Sequence, residues 1–456
     1  MVKASTARST LPETAASLAR SLEYLFPGES NESLADDDLQ AVWQRYNSQV
    51  RPKAVADGQS IVAFIYDPSS AEPVGAIRVR LRFEPSHHDE HMSRCLAQVF
   101  DDDVARCAST PETDELWRTL AQSRFARAIS RFVPFRAHHA SDWIHTMESS
   151  MTLTYEGNPA RHSVLFCKKF SHTIGRLQRH FAPFKKKISI GDALLNQKWI
   201  RSVVDSHRVT MVATKGNGGG IVGLLSFSTL PRDVPRQIYA PHESLIYLQA
   251  AMSPGDMALV AAEHGDLFIL LGNGIVFQRT QGRWHYLNYE NAHRILRAYL
   301  SESLTTSVLR AAIDLSFERT GALLCIPDRR TVVPQMVPDH KDTGRPNKLL
   351  RESLKGLTIK RWEQRQVITA AAGTDGATVF ARNGDLIDIA CMIARPPPKT
   401  LRRVTGTSEP KTFSGARSTA AWNASIYGLS IKVSEDGPIT VYRHGAEIYQ
   451  LGGGGR

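Results

Sequence analysis

The sequence predicts an α/β (α+β) fold, in which a C-terminal mixed sheet flanked by helices follows an N-terminal α+β region. At 456 residues the chain is longer than one typical domain, and its apolar fraction of 42% is that of a globular protein. Apolar residues recur at helical spacing in some segments and form short strand-like runs in others. Helical and strand-like segments are interleaved along the chain, which is typical of a mixed architecture.

The N-terminal region combines helices with strand pairs. A helix is predicted from Thr10 to Phe26, because Thr10 can cap it and regularly spaced leucines share one face. Strands are predicted at Ile61–Tyr66 and Val74–Phe83, with turn-forming residues between them. A further helix is predicted from Leu116 to Val133.

The second part of this region is richer in strands. A hairpin is predicted from strands at Met151–Tyr155 and Ser163–Phe170, and residues 208–289 contain several short strand patterns. We expect a domain boundary near residue 290 and a weaker division near 145. The predicted parts are residues 1–145, an N-terminal α+β region that could act as a sensor; residues 146–290, its strand-rich second part; and residues 291–456, a C-terminal domain.

The C-terminal part opens with an apolar stripe that predicts helix over Ala292–Phe317, either continuous or broken near Ser301–Ser303. Helices are also predicted at Lys348–Lys355 and at Ser414–Ile426. The predicted strands are Ala322–Ile326, Val367–Ala371, Thr378–Ala381, Leu386–Ile393, Leu429–Val433, Ile439–Tyr442 and Glu447–Leu451. These elements predict a sheet with helices packed against it.

Composition narrows the class of partner and compartment. The net charge of +11 favours anionic partners such as nucleotides or nucleic acid, and the run Lys185–Lys187 could contact nucleic acid, although a solvated basic face is the simpler explanation. The five cysteines form no Cys-x-x-Cys pair, so neither a zinc site nor a disulfide framework is indicated. No apolar run reaches the length of a signal peptide or a membrane span. We therefore expect a soluble, cytoplasmic protein without a membrane partner.

Two short C-terminal segments carry candidate chemistry. Asp375 lies in a glycine turn, Gly373–Ala377, where a carboxylate can bind Mg²⁺ or Mn²⁺ that bridges phosphate oxygens. An ordinary Asp-Gly turn is the alternative. Arg417 lies in Gly415–Ala421, a segment of small residues that opens a helix, where free N–H groups and a guanidinium can bind phosphate. A surface arginine on a capped helix is the alternative here.

The region from Thr320 to Leu451 resembles a diadenylate cyclase domain over its whole length. The resemblance rests on four segments in order: Gly321–Ile326, similar to the first strand of that family; Thr374–Ala377, similar to its Asp-Gly-Ala motif; Gly415–Ala421, similar to its Gly-Thr-Arg-His-Arg-Ala-Ala motif; and Val433–Val441, similar to its Ser-Glu segment and closing hairpin. Residues before 290 more loosely resemble the sensor-type regions that precede some of these domains.

The resemblance implies an enzyme in which two domains face each other in a homo-oligomer and condense two ATP molecules into cyclic di-AMP, a second messenger. It implies the following roles: metal binding and activation of the 3′-hydroxyl for Asp375, contact with the nucleotide for Gly376, Ala377 and Gly415, contact with the phosphates for Arg417, Ser418 and Thr419, and a place near phosphates or metal for Ser434 and Glu435. Mg²⁺ or Mn²⁺ is the implied cofactor.

The chain departs from this family within the second motif. Ser418 stands where the family has His, and Thr419 stands where it has a second Arg. Removing a phosphate-facing arginine weakens the stabilisation of a leaving pyrophosphate. We expect either that other basic residues substitute, such as Lys399, Arg402 or Arg403, or that the domain binds nucleotide without cyclising it, or that it makes a different dinucleotide.

Overall fold

The computed structural model describes residues 15–23, 25–26, 31–46, 52–66, 72–108, 113–155, 158–159, 161–205, 208–214, 219–227, 243–262, 265–338, 348–435 and 437–452. The chain divides into two compact units, whose main segments meet between Asn288 and Tyr289. Both units combine helices with sheets, so the predicted α+β class is confirmed. Within the described residues, no helix is both long enough and apolar enough to cross a membrane.

The first described element of the N-terminal unit is helix α1 over residues 15–23; the proposed cap Thr10 lies outside the described residues. The elements that follow are β1 (Asn31–Ser33), α2 (Asp36–Tyr46), β2 (Ala54–Asp57), β3 (Ser60–Tyr66), β4 (Pro73–Arg80), α3 (His87–Ala108), α4 (Thr113–Phe132), α5 (Ala137–Ser150), β5 (Thr154–Tyr155), β6 (Asn158–Pro159), β7 (His162–Cys167), α6 (Phe170–Arg176), β8 (Phe181–Ile188), α7 (Lys198–Val203), β9 (Val209–Thr214), β10 (Gly220–Ser226), α8 (Glu243–Ala251), β11 (Met257–Ala261), β12 (Leu267–Leu271), β13 (Ile275–Thr280) and β14 (Arg283–Asn288).

Two main sheets organise this unit. The first has the order β1-β4-β3-β2, and the second has the order β14-β13-β12-β11-β7-β9-β10-β8. One cluster of buried apolar side chains extends from Leu18 to Tyr286, and the predicted division near residue 145 falls inside α5. The basic run Lys185–Lys187 lies on β8, at the edge of the second sheet, where all three lysines are exposed. Lysines at an exposed sheet edge discourage pairing with other chains.

The hairpin predicted between Met151–Tyr155 and Ser163–Phe170 is wrong. Strand β7 pairs antiparallel with β11 and parallel with β9, whereas β5 pairs only locally with β6. The partners of β7 are distant in the sequence, and a strand buried on both sides carries no local signal that identifies its neighbours.

The C-terminal unit contains α9 (Tyr289–Arg297), α10 (Glu302–Phe317), β15 (Ala322–Pro327), α11 (Val333–Met336), α12 (Lys348–Leu354), α13 (Trp362–Ala372), β16 (Ala377–Phe380), β17 (Leu386–Cys391), α14 (Pro398–Thr405), α15 (Ala416–Ser425), β18 (Gly428–Val433), β19 (Ile439–Arg443) and β20 (Ala446–Leu451). Its single mixed sheet has the order β17-β16-β15-β18-β19-β20. The long predicted helix is two helices, α9 and α10, as the broken alternative anticipated.

The strand predicted at Val367–Ala371 is wrong, because these residues belong to helix α13. The alanines at its C-terminal end are the strongest helix formers, and they outweigh the strand preference of Val367 and Ile368. Asp375 therefore follows a helix and precedes β16, instead of lying between two strands.

The central strand β15 separates two layers of helices. Leu323 and Cys325 belong to a buried cluster that includes Ala421 and Trp422 of α15. Because side chains alternate along a strand, Leu324 points to the opposite face, where α10 and α13 contact β15. The helix α15 is thus fixed against one face of the sheet.

A buried ion cluster links helices α3 and α4 in the N-terminal unit. The Asp103 carboxylate is fully buried and accepts hydrogen bonds from Arg124 Nε at 2.7 Å and from Arg127 Nη1 at 2.6 Å. The Arg124 guanidinium also lies 4.3 Å from the Phe100 ring centroid and 4.1 Å from that of Trp117. These contacts compensate the cost of removing the charges from water.

We predict that Asp103→Ala lowers the free energy of unfolding of the N-terminal unit by about 3–5 kcal/mol, because it leaves two guanidinium groups without their shared carboxylate. Asp102→Ala is the matched control, since Asp102 is the preceding residue and forms an exposed ion pair with Arg131. Its cost should stay below about 1 kcal/mol. Urea unfolding of the full chain, followed by hydrogen exchange in α3 and α4, measures both, and equal effects would contradict the assignment.

Candidate functional site

The strand directions bring three separated segments to one edge of the C-terminal sheet. Strand β15 pairs parallel with β16 and antiparallel with β18. In one row across these strands, Leu323 lies between Ala377 and Lys432. The N-terminal ends of β15 and β16 and the C-terminal end of β18 therefore share an edge. Gly321, Asp375 and Ser434 each lie two positions beyond this row along the chain, toward the shared edge.

Arg417 and Glu435 form an ion pair over the start of β15. Arg417 Nη1 lies 3.2 Å from Glu435 Oε1, and the Glu435 side chain is 69% exposed. A Cβ atom on Gly321 would lie 2.1 Å from Arg417 Nη1 and 2.9 Å from Glu435 Oε1. A glycine at position 321 therefore leaves the space in which the arginine meets the carboxylate. The second motif, the first strand and the Ser-Glu segment are in contact here.

Asp375 lies in a turn next to the same strand. A Cβ atom on Gly373 would approach Thr320 Cγ2 to 2.6 Å, so the turn lies against the residue that precedes Gly321. The Asp375 side chain is exposed, and among the described residues it has no ion-pair partner. No group of three or more His, Cys, Asp and Glu residues within the described part of the chain could hold a metal by itself. A Mg²⁺ ion bound through phosphate oxygens needs only one or two carboxylates, which Asp375 and Glu435 can supply.

Gly376 is required by the packing of the chain itself. Its φ of +109° lies in the region that favours glycine, and a Cβ atom there would lie 2.6 Å from Ala390 C and 2.8 Å from Cys391 N. The close approach expected of this glycine is thus made to the backbone of β17. The Ala377 side chain is 1% exposed and lies in the core, so a nucleotide could meet only its backbone.

The first turn of α15 carries positive charge and no acidic residue. Gly415 is the N-cap and has no side chain that could cap the helix, so within the described residues the first N–H groups of α15 receive no cap from an N-cap side chain. Ser418 Oγ accepts a hydrogen bond from Lys432 Nζ at 2.9 Å. Together with Arg417, Lys432 places a second cation beside this helix terminus, where the helix dipole favours anions.

The other residues predicted from the motifs have local structural contacts. Thr419 Oγ1 donates to Gly415 O at 3.2 Å and accepts from Phe413 N at 3.3 Å, so its hydroxyl holds the loop before α15. Ser434 forms a turn, with its N–H donating to Pro438 O at 2.9 Å and its carbonyl accepting from Gly437 N at 2.9 Å.

The substitute cations proposed from the sequence lie on α14. Arg402 Nε donates a hydrogen bond to Ser408 Oγ at 3.1 Å, and Lys399 is exposed. Lys432, which the sequence analysis missed, is the cation in contact with Ser418. Lys432 is the one charged residue of strand β18 and lies two residues before Ser434, and this was the available signal.

Comparisons with known proteins add little to this geometry. A scan against models of protein families finds no match, and a search of curated proteins finds none either. Among solved structures, a hypothetical membrane spanning protein from Bacillus cereus is 21% identical over 35% of this chain and 67% of that chain, with a TM-score of 0.24. A similarity at this TM-score does not establish a shared fold.

We predict that Gly376→Ala destabilises the C-terminal unit by roughly 2–5 kcal/mol, because the strain of a positive φ adds to a clash with backbone atoms of β17. Gly406→Ala is the control, since Gly406 has a φ of +78° and a Cβ atom there meets nothing within 4 Å. It should cost about 1–2 kcal/mol, from strain alone. Denaturant-dependent hydrogen exchange of residues 377–391 distinguishes the two, and indistinguishable losses would refute the packing role of Gly376.

Proposed function

We propose that the C-terminal unit is a diadenylate cyclase-type nucleotidyltransferase, which condenses two ATP molecules into cyclic di-AMP and releases two pyrophosphates. One observation carries this proposal: the Arg417–Glu435 ion pair lies over Gly321, beside the turn that holds Asp375. A carboxylate for a metal, an arginine and a cationic helix terminus thus lie at one sheet edge. This set of groups suits the triphosphate of a nucleotide with its divalent cation.

Phosphate would bind first to the groups at the start of α15. The free N–H groups of the first turn and the Arg417 guanidinium can each donate hydrogen bonds to phosphate oxygens. A phosphate that binds the guanidinium must compete with the Glu435 carboxylate, whose Oε1 lies 3.2 Å from Arg417 Nη1. Phosphate binding to Arg417 therefore frees the Glu435 carboxylate, which can then interact with a metal ion bound to the exposed phosphates.

Asp375 is the carboxylate that we assign to metal binding, together with the released Glu435. Asp375 and Glu435 would hold Mg²⁺ or Mn²⁺, and the ion would supply positive charge that offsets the phosphates and favours ionisation of the attacking hydroxyl. The carboxylate of Asp375 orients that 3′-hydroxyl and favours loss of its proton. Exposure of Asp375 suits this role, because the second nucleotide must approach the same edge from outside.

The reaction needs two such sites facing each other. The 3′-oxygen of each ATP forms a bond to the α-phosphorus of the other, the bond between that phosphorus and the oxygen of the leaving pyrophosphate breaks, and each hydroxyl proton passes to water. Because each site supplies only one ATP, the active species would be a homo-oligomer with paired C-terminal units. Catalysis then consists mainly of positioning and charge stabilisation. We assign the N-terminal unit a regulatory, sensor-type role.

A second candidate function is nucleotide binding without cyclisation. The observation that favours it is the engagement of the Thr419 hydroxyl by Phe413 and Gly415, which directs this residue to its own loop instead of a phosphate. In that case the unit would be a sensor of ATP or of a cyclic dinucleotide. A cyclase with another nucleotide preference is a variant of the first function, and the same experiment tests it.

We predict that the full chain, incubated with ATP and Mg²⁺ or Mn²⁺, forms cyclic di-AMP and pyrophosphate, and that Asp375→Asn lowers the rate at least about 100-fold. The variant should still bind ATP, because Arg417 and the helix terminus remain. Mass spectrometry identifies the product, and parallel reactions with GTP test the nucleotide preference. Glu409→Gln is the control, since Glu409 is an exposed carboxylate on the loop that precedes α15.

The outcomes separate the candidate functions. Product from the parent and the control, but not from Asp375→Asn, supports the cyclase. ATP binding by the parent without any product over a range of metals supports the sensor. Equal turnover by parent and Asp375→Asn would contradict the role of Asp375, and absence of nucleotide binding would contradict both candidate functions.

A further inference from the structure

Lys432 lies partly buried on β18, facing the first turn of α15. It pairs with Leu323 across the antiparallel ladder, and paired residues point to the same face of a sheet. Leu323 belongs to the cluster with Ala421 and Trp422 of α15, so Lys432 also points to that helix. Its ammonium group donates a hydrogen bond of 2.9 Å to Ser418 Oγ.

Through its hydroxyl, Ser418 can couple the positive charge of Lys432 to a bound anion. A serine hydroxyl has one O–H donor and two acceptor lone pairs. Because Lys432 Nζ donates to the oxygen, the O–H proton of Ser418 must point elsewhere. Ser418 is partly exposed in the first helical turn, so an anion bound there would find an O–H donor with an ammonium group behind it. The ammonium group polarises this hydroxyl and strengthens its donation.

Two cations from different elements, Arg417 of α15 and Lys432 of β18, lie at the first turn of α15. Arg417 and Lys432 both approach the positive end of the helix dipole, and α15 has no acidic residue in its first turn. Glu435 compensates Arg417 at 3.2 Å. A phosphate bound at this end of the helix would lie near both cations, at the terminus whose dipole favours an anion.

We propose that Lys432, presented through Ser418, is the second phosphate-binding cation of this site. In the second motif of the family that this chain resembles, an arginine stands where this chain has Thr419. Lys432 supplies the corresponding positive charge from strand β18. The inference rests on the proposed function, because it assumes that the anion is the triphosphate of a nucleotide. It also explains how Ser418 and Thr419 can replace charged residues while the site keeps two cations.

The test measures the dissociation constants of ATP and of inorganic tripolyphosphate for the full chain and its variants by calorimetry. Lys432→Met should weaken both ligands roughly 10- to 100-fold, the loss expected for one charge-assisted hydrogen bond. Lys432→Arg should bind within about threefold of the parent, because the charge is retained. Lys399→Met is the matched control on α14, and its affinities should not change.

Salt dependence separates an electrostatic role of Lys432 toward the anion from a structural role. In Lys432→Met, affinity for tripolyphosphate should fall less steeply with increasing salt than in the parent, because one cation fewer lies near the ligand. Loss of affinity with an unchanged salt slope, or restored affinity in Lys432→Gln, would overturn the proposal. Circular dichroism melts of all variants ensure that affinities are compared among folded proteins.

Each result bears on a different claim. If the parent binds ATP and Lys432→Met binds it equally well, the role of Lys432 is overturned and the proposed function is left intact. Weakened binding in Lys399→Met but not in Lys432→Met assigns the second cation to α14 and likewise overturns it. A parent that binds neither ATP nor tripolyphosphate removes the proposed function, and this inference with it.

Discussion

The arrangement of the C-terminal unit depends on the two different neighbours of strand β15. Its pairing with β16 is parallel and its pairing with β18 is antiparallel. A parallel neighbour begins at the same edge where β15 begins, and an antiparallel neighbour ends there. If either pairing were reversed, Asp375 or Glu435 would lie at the opposite end of the sheet. Residues more than 50 positions apart in the sequence can meet at this edge only because the pairing is mixed.

The helix α15 holds its first turn at this edge because its remainder is fixed in the core. Trp422 Nε1 donates to Gly445 O at 2.7 Å, and Ser430 Oγ donates to Ala421 O at 2.6 Å. These bonds attach the helix to the turn between β19 and β20 and to strand β18. Because this end of the helix is buried and bonded, its uncapped first turn is presented in a fixed position. A site that must recognise charge benefits from donors that do not have to be ordered on binding.

The sequence predicts the elements of this site better than it predicts their neighbours. The helix predicted at Ser414–Ile426 and the strands predicted from Thr378 onward agree with α15 and β16–β20, because each carries a local signal. The strand predicted at Val367–Ala371 failed, because β-branched residues next to alanines give an ambiguous local pattern. In the N-terminal unit the partners of β7 are set by contacts remote in sequence, which local patterns do not contain.

For the residues of the site too, the sequence predicts the local features and misses the contacts between distant segments. The motifs placed Asp375 in a glycine turn and Arg417 at the start of a helix. The ion pair of Arg417 with Glu435 and the space above Gly321 follow only from the strand register. The resemblance implies that Gly376 contacts the nucleotide, although the backbone of β17 already excludes a side chain at this position. A sequence pattern records that a glycine is needed and does not record which neighbour requires it.

Lys432 illustrates why a motif on one helix describes this site incompletely. The end of a helix lying on a sheet is within reach of side chains from the strand beneath it, because a lysine side chain has a long, flexible stem. A small residue at position 418 leaves room for that ammonium group and bonds to it. Positive charge at the terminus of this helix can therefore come from the strand beneath it as well as from the helix itself. Positive charge is needed at the position where the anion would lie, and side chains from several elements of the fold can supply it.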